Sequence, residues 1–265
     1  MANLEQYLLY YRDRIIERDY NNISWREVAK LKVLKHIVGI IFILCLPVLL
    51  VSLSLAWGFN SFWLYNYGFQ EYSVSQTTGL TQDELTIAGK GLIKYFNSSE
   101  EYVHITLIRD GHPFELFTPE EQSHFKDVKQ LVWLDYRVLL ISLILVLSYA
   151  LAAIFLQKGK YRSALAWNVI WGSLLTIVLI VIVGVASILD FDSLFLKFHY
   201  LAFTNQYWSA AGYMLLLFPG GFWFDAALFC IGFVTLLAII LGVAAGIYLK
   251  DFRKSRKISE RPAIE

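Results

Sequence analysis

Four stretches of the chain are apolar almost throughout and carry no charged side chain: 37–56, 138–156, 169–189 and 226–249. They are 20, 19, 21 and 24 residues long. A helix needs about 20 residues to cross a hydrocarbon layer roughly 30 Å thick. A buried helix of a soluble domain would show a polar stripe, and none of the four does. Each stretch therefore predicts a transmembrane helix. The first does not read as a cleavable signal, because it is too long and follows 36 mostly polar residues.

The segments between the spans have their own patterns. Residues 57–137 form a connection too long to be a simple loop. It opens with Phe59, Phe62, Trp63, Tyr65, Tyr67, Phe69 and Tyr72. Thr81 and Glu84 have capping-box spacing and predict a helix to about Phe96. The runs 103–108 and 113–117 flank Asp110 and Gly111, which suit a tight hairpin turn, with His104 on the first strand. Thr118, Pro119 and Glu121 mark a second helix start, from which a helix carrying His124 and Asp127 can run straight into the second span. The connection thus predicts a small α+β cap.

In the second connection, 190–225, the residues Phe191, Phe195, Phe198 and Ala202 recur at helical spacing. They predict a short aromatic helix at the membrane interface, ending near Thr204 and Asn205. Pro219, Gly220 and Gly221 break the chain before the fourth span. At the start of the chain, residues 1–36, Leu4, Leu8, Tyr11 and Ile15 share a helical face. A helix on the membrane surface and a solvated helical tail both fit them.

Composition agrees with a membrane protein. Hydrophobic residues make up 57% of the 265 and charged residues only 17%, against roughly 25% in soluble domains, and the mean hydropathy is +0.51. This argues against a disordered chain, a nucleic-acid binder and an ordinary soluble enzyme. The net charge of +1 conceals an asymmetry. The segments before the first span, between spans two and three, and after the fourth hold 16 of the 23 basic residues but only eight of the 22 acidic ones. By the positive-inside rule, both termini, including the basic tail 250–265, are cytoplasmic, and 57–137 and 190–225 are extracytoplasmic. Cys45 and Cys230 fall inside spans, so no disulfide or thiol nucleophile is expected on the outer side.

No span carries an ionisable group of the kind that ion-coupled transport usually needs. Gly242 and Gly246 form a GxxxG match that reads as helix packing. Gly89, Lys90 and Gly91 lack the upstream glycine of a phosphate loop. No serine elbow is present. His104 and His112 read as surface side chains. His124 and His199 differ, because each lies close in sequence to a membrane boundary on the same side. Asp127 is one helical turn from His124, where it can orient the ring and favour its protonated form. Phe195 and Phe203 flank His199 at i−4 and i+4. An acid–base pair and a metal site both fit two histidines and a carboxylate, although no HExxH spacing supports a metal. Asn205 fits an oxyanion donor or a helix C-cap. Trp208 and Trp223 fit site residues or interfacial anchors. Asp127 and Lys129 also fit ordinary solvated charges.

Two segments resemble the bacterial lipoprotein intramolecular transacylase (Lit) family. Glu121, His124, Asp127, Val128 and Lys129 match its E-x-x-H-x-x-D-V-K motif. Phe191, Asp192, Phe195, Phe198, His199, Phe203, Asn205 and Trp208 match its F-D-x-x-F-x-x-F-H-x-x-x-F-x-N-x-x-W motif. The likeness runs from about residue 37 to 249 and includes the order of spans and loops. After Trp208 the chain departs from the family, with Ser209, Ala210, Ala211 and Gly212 in place of an acidic, proline-containing stretch, and Pro219-Gly220 where many members have proline-glutamate.

The resemblance implies a mainly α membrane protein: a bundle of four transmembrane helices with an extracytoplasmic cap, in the bacterial cell membrane. It implies an acyltransferase whose partners are a diacylated lipoprotein substrate and membrane lipid, with no cofactor, metal or nucleic acid. The sn-2 acyl chain of a diacylglyceryl-cysteine would move to the α-amine of that cysteine. The family's catalytic histidines fall on His124 and His199, with Asp127, Asn205, Trp208, Phe195 and Phe203 in support. Asp127 favours His124 as the base and His199 as oxyanion donor, although the swapped roles fit equally. A non-enzymatic scaffold that holds an exported partner or lipid would instead leave the two histidines far apart. A metal-dependent hydrolase would carry bound zinc.

Overall fold

The computed structural model describes residue 30 and residues 33–155 and 161–259, with side chains as far as residue 254. The expectations for 1–29 and for the end of the basic tail lie outside the described residues. The chain forms helices α1 (Val33–Asn60), α2 (Phe62–Glu71), α3 (Val74–Thr78) and α4 (Gln82–Phe96), then strands β1 (Thr106–Arg109) and β2 (His112–Glu115). Helices α5 (Pro119–Phe155), α6 (Arg162–Ala202), α7 (Tyr213–Leu217) and α8 (Gly220–Ser259) follow. A 3-10 turn, Tyr207–Ser209, lies between α6 and α7.

Four helices are long and apolar enough to cross a membrane: α1, α5, α6 and α8. Their shared core contains Phe42, Leu46 and Leu50 of α1, Val146 of α5, Ile180 of α6, and Val234 and Ala238 of α8. Their outward faces are equally apolar; Ile144, Val181 and Ile240 are all more than half exposed. Such a surface is a liability in water and matches lipid. Small residues set the close approaches. A Cβ on Gly172 would press on Leu46, and one on Gly242 would touch Ser173, whereas Gly246 has open space beside it. The GxxxG match is therefore a packing contact at its first glycine.

Helix α5 is 37 residues, or about 55 Å, long. That exceeds the hydrocarbon layer, so its first turns project beyond the apolar stretch that begins at 138 and enter the globular part. Helix α6 also outlasts its span. Its backbone breaks at Asp190 (φ −161°, ψ 81°), where the uncharged stretch ends. The Asp190 carboxylate accepts a hydrogen bond from Ser193 N at 3.0 Å and so caps the aromatic half-helix that follows. The expected aromatic helix is thus the continuation of the third span beyond a kink, and it ends at Ala202 with Phe203 extended behind it.

The globular part has the expected elements. Thr81 and Glu84 form a reciprocal capping box at the start of α4. In the hairpin, Thr106 pairs with Glu115 and Arg109 with His112, across a turn in which Asp110 and Gly111 both have positive φ (53° and 77°). His104 lies just before β1 rather than on it. The core of this unit is not built from the first connection alone. Phe69, Leu80, Leu92, Leu107 and Leu116 are buried together with Met214 and Leu217 of α7 and Phe222 of α8. Polar ties join the same parts. Tyr67 and Tyr72 of the first connection donate to Asp225 at 3.0 and 2.6 Å. Asn60, Asn97 and Tyr136 bond one another where α1, α4 and α5 meet.

Candidate active site

The two motif histidines lie on different helices and meet. His124 is on α5, fourteen residues before the stretch that begins at 138, and is 7% exposed. His199 is in the last turn of α6, beyond the kink, and is 6% exposed. Their ring centres are 6.2 Å apart and their planes differ by 27°. The aromatic residues expected in support surround them. Phe203 stands edge-on to His124 at 4.8 Å and lies 5.5 Å from His199. Phe195 and Trp208 approach His199 to 4.2 and 5.0 Å. Phe198, a motif residue given no role from sequence, adds a further edge at 5.3 Å. Helical spacing of 191, 195, 198 and 199 creates this wall, because residues three and four apart share a face.

His199 has a defined tautomer. Its Nδ1 lies 2.7 Å from the carbonyl oxygen of Phe195. A carbonyl only accepts, so Nδ1 carries the hydrogen and Nε2 of the neutral ring presents a lone pair. His124 Nδ1 is buried and has no hydrogen-bond partner among the described residues. Burial, followed by the neighbouring His199, lowers the His124 pKa to about 4, and Asp127 opposes this only partly. Burial lowers that of His199 as well. Both rings are therefore neutral near pH 7. Asp127 does favour protonated His124, as expected, but burial and His199 outweigh it.

Asp127 bonds elsewhere. Its carboxylate accepts from Asn205 Nδ2 at 2.8 Å, and Asn205 Oδ1 accepts from Tyr207 N at 3.0 Å. Asn205 thus uses both ends of its amide to hold the turn after α6 against α5, and the cap position of α6 belongs to Phe203. Sequence reasoning gave Glu121 a role only in starting α5. Fully buried, it also accepts from Met214 N at 2.6 Å and thereby anchors α7. Its second oxygen accepts from Thr118 N at 2.8 Å, which the capping pattern indicated. Lys129 is buried rather than solvated. It donates to the Glu100 carbonyl at 2.6 Å, lies over the Tyr95 ring at 4.1 Å, and its pKa is lowered by burial. The four polar residues of the first motif therefore reach four different places: α7, the aromatic site, the turn after α6, and the loop after α4.

A cavity of about 350 Å³ lined by Lys94, Tyr95, Glu100 and His104 lies in the globular part and includes neither histidine of the pair. Among the described residues, no three His, Cys, Asp or Glu side chains are grouped to hold a metal ion.

The family model for "Lipoprotein intramolecular transacylase Lit" matches residues 40–223, well over half of the chain. The chain belongs to the lipoprotein intramolecular transacylase family. As a member it is an enzyme, a multi-pass membrane transacylase of the lipoprotein class. Among solved structures, the membrane-integral transacylase Lit of Bacillus cereus shares the fold, with a TM-score of 0.72 at 18% identity, covering 84% of this chain and 99% of that one. A histidine-to-arginine variant of the same protein gives 0.71 over 88% of this chain and 99% of that one, again at 18% identity. An uncharacterised protein of Aquifex aeolicus is 24% identical over 229 residues, or 84% of this chain and 99% of its own length. The matched region of this transacylase includes both histidines, Asp127, Asn205 and Trp208.

Proposed function

We propose that this transacylase moves the sn-2 acyl chain of a diacylglyceryl-cysteine lipoprotein onto the α-amine of the same cysteine, leaving a lyso-form lipoprotein. The observation that carries this reading is the 6.2 Å approach of two buried histidines within an aromatic wall. A scaffold has no need of such a pair.

Aminolysis of an ester requires the attacking amine to lose a proton and the departing alkoxide to gain one. His199 is preset for the first task, since its Nδ1–H is held by Phe195 O and Nε2 is left as the base. The resulting imidazolium returns the proton to the glyceryl oxygen as the C–O bond breaks. Neutral His124 faces the developing oxyanion as an N–H donor. These are the swapped roles among those the sequence left open. Holding ester and amine together in the aromatic wall contributes further, up to roughly 7–11 kcal/mol in well-oriented systems. No enzyme nucleophile is needed. Asp127 and Asn205 act as positioning residues.

On this reading the globular part and the kinked end of α6 face the extracytoplasmic side, and both termini are cytoplasmic. The diacylated lipoprotein reaches the histidines from the membrane, where its acyl chains lie.

Mass spectrometry of a lipoprotein N-terminal peptide, from cells with and without the protein, tests this. We expect lyso-form N-acylation only with the protein present, and its loss in His124→Ala and His199→Ala variants that still fold. An unchanged acylation pattern overturns the substrate. Full activity in both folded variants overturns the mechanism.

A further inference from the structure

Four buried side-chain nitrogen or oxygen atoms lack a hydrogen-bond partner among the described residues: His124 Nδ1, Asp135 Oδ2, Ser173 Oγ and Trp208 Nε1. Two of the four belong to rings of the aromatic site. Buried donors are nearly always paired, and an exception calls for an explanation, of which a catalytic role is one. An indole N–H can only donate, so whatever completes Trp208 must be an acceptor. The ring that carries this donor lies 5.0 Å from the ring of His199, which in turn lies 6.2 Å from that of His124.

Apart from His124, the nearby amide and ammonium groups among the described residues are already engaged. The Asn205 amide is engaged with Asp127 and Tyr207 N. Lys129 is engaged with Glu100 and Ser98. Trp208 is itself fixed in place. The 3-10 turn Tyr207–Ser209 holds its backbone, Asn205 holds the start of that turn, and Tyr200 meets the indole edge-on at 5.7 Å. A held donor whose N–H is buried beside the base has the character of an oxyanion donor, which acts by being in position before charge develops.

We propose that Trp208 is a catalytic residue of the transacylation, donating from Nε1 to the carbonyl oxygen of the substrate's acyl ester. The proposal rests on the transacylase reading above. As the amine nitrogen bonds to the carbonyl carbon, the π electrons move to oxygen, and the Trp208 N–H and His124 share the resulting negative charge. Collapse restores the carbonyl, the C–O bond to glycerol breaks, and the amine proton, carried by His199, ends on the glyceryl oxygen. Trp208 neither gains nor loses a proton. An interfacial-anchor role does not require a buried, unpartnered N–H, because anchors place that group at the headgroup level.

The test uses the full chain in bilayers, a synthetic diacylated lipopeptide and two replacements at position 208. Trp208→Phe keeps an aromatic ring and removes the donor. Benzothienylalanine keeps the shape of indole and replaces N–H with sulfur. We expect both to reduce kcat by about 100-fold with KM little changed, the signature of an interaction made in the transition state. A native rate with benzothienylalanine overturns the proposal, even if Trp208→Phe is slow or misfolded, since packing would then be the whole role. His124→Ala and His199→Ala are measured alongside. Activity in both of those folded variants overturns the parent reading, an outcome distinct from failure at Trp208.

Discussion

Asp127 and Asn205, 78 positions apart in the chain, are joined by a 2.8 Å hydrogen bond that closes the turn after α6 onto α5. This bond links the helix that carries His124 to the segment that carries Phe203 and Trp208. A hydrogen bond to a charged group contributes roughly 1.5–3 kcal/mol. We expect Asp127→Ala and Asn205→Ala each to lower kcat/KM by about tenfold or more, and the double variant to be no worse than the weaker single, because the two residues act as one unit. Asn205→Asp, which sets two carboxylates against each other, should be worse than Asn205→Ala. A double-mutant cycle on lipopeptide turnover checks this. Strictly additive losses would show that the bond does not position the site.

The lowered histidine values give the acid side of the activity profile a definite shape. An unfolded chain protonates His124 near 6.5, whereas the folded protein does so near 4, because burial and the adjacent His199 disfavour the imidazolium. Between those values the unfolded state binds the proton and the folded state does not. Stability is therefore complete above about pH 6.5 and declines as pH falls towards 4, by at most about 3 kcal/mol for this residue. His199, lowered in the same direction, adds to the decline. The substrate α-amine, with a pKa ordinarily about 8, must be free to attack, so the rate should fall with pH as that amine is protonated and show no further break at the ordinary histidine midpoint, because burial lowers the pKa of the base. Turnover and thermal unfolding followed from about pH 4 to 7 check both points, and His124→Gln should flatten the unfolding curve. A second break in the rate at about pH 6.5, beyond that of the amine, would contradict neutral, buried rings.

How far this site can be read from the sequence depends on the range of each interaction. Local signals read well. Capping at Thr81 and Glu84, the Asp110–Gly111 turn and the helix start at Thr118 are settled by residues within four positions of one another, and all appear as expected. For His124 and His199, their common position beside a membrane boundary only suggests a pair and the resemblance sharpens it, because spacing within one helix says nothing about a second helix 75 positions later. Asp127 is the instructive case: it raises the His124 pKa as expected, yet its hydrogen bond goes elsewhere. A carboxylate three residues from a histidine on a helix is close enough to meet it, but Asn205 from outside the helix takes the bond. Lys129 has no local feature to distinguish it from a solvated charge, and the capping pattern at Glu121 says nothing of its second bond. What buries them is the loop after α4 in one case and α7 in the other. The kink at Asp190 lies between these extremes. The end of the uncharged stretch was plain, but its continuation as one bent helix depends on the cap that Asp190 gives Ser193 N.

Glu121 and Gly212 define the other long-range joint of the site, and the departure from the family motif after Trp208 bears on it. Gly212 has an extended backbone (φ 171°) that any residue adopts, so glycine is not needed there for its conformation. It is needed for space, since a Cβ at this position would run into the Glu121 carboxylate. That carboxylate must stay where it is to accept from Met214 N and Thr118 N. Gly212→Ala should therefore destabilise the protein by roughly 1–3 kcal/mol through overpacking. Glu121→Ala should cost about 2 kcal/mol or more by leaving backbone donors unpaired. Combined, the two should not add. With the carboxylate gone the new methyl group has room, so Glu121→Ala/Gly212→Ala should be no less stable than Glu121→Ala alone. Thermal unfolding of the four proteins in one detergent checks this. A full additional loss in the double variant would mean that Gly212 serves something other than the approach of Glu121 to α7.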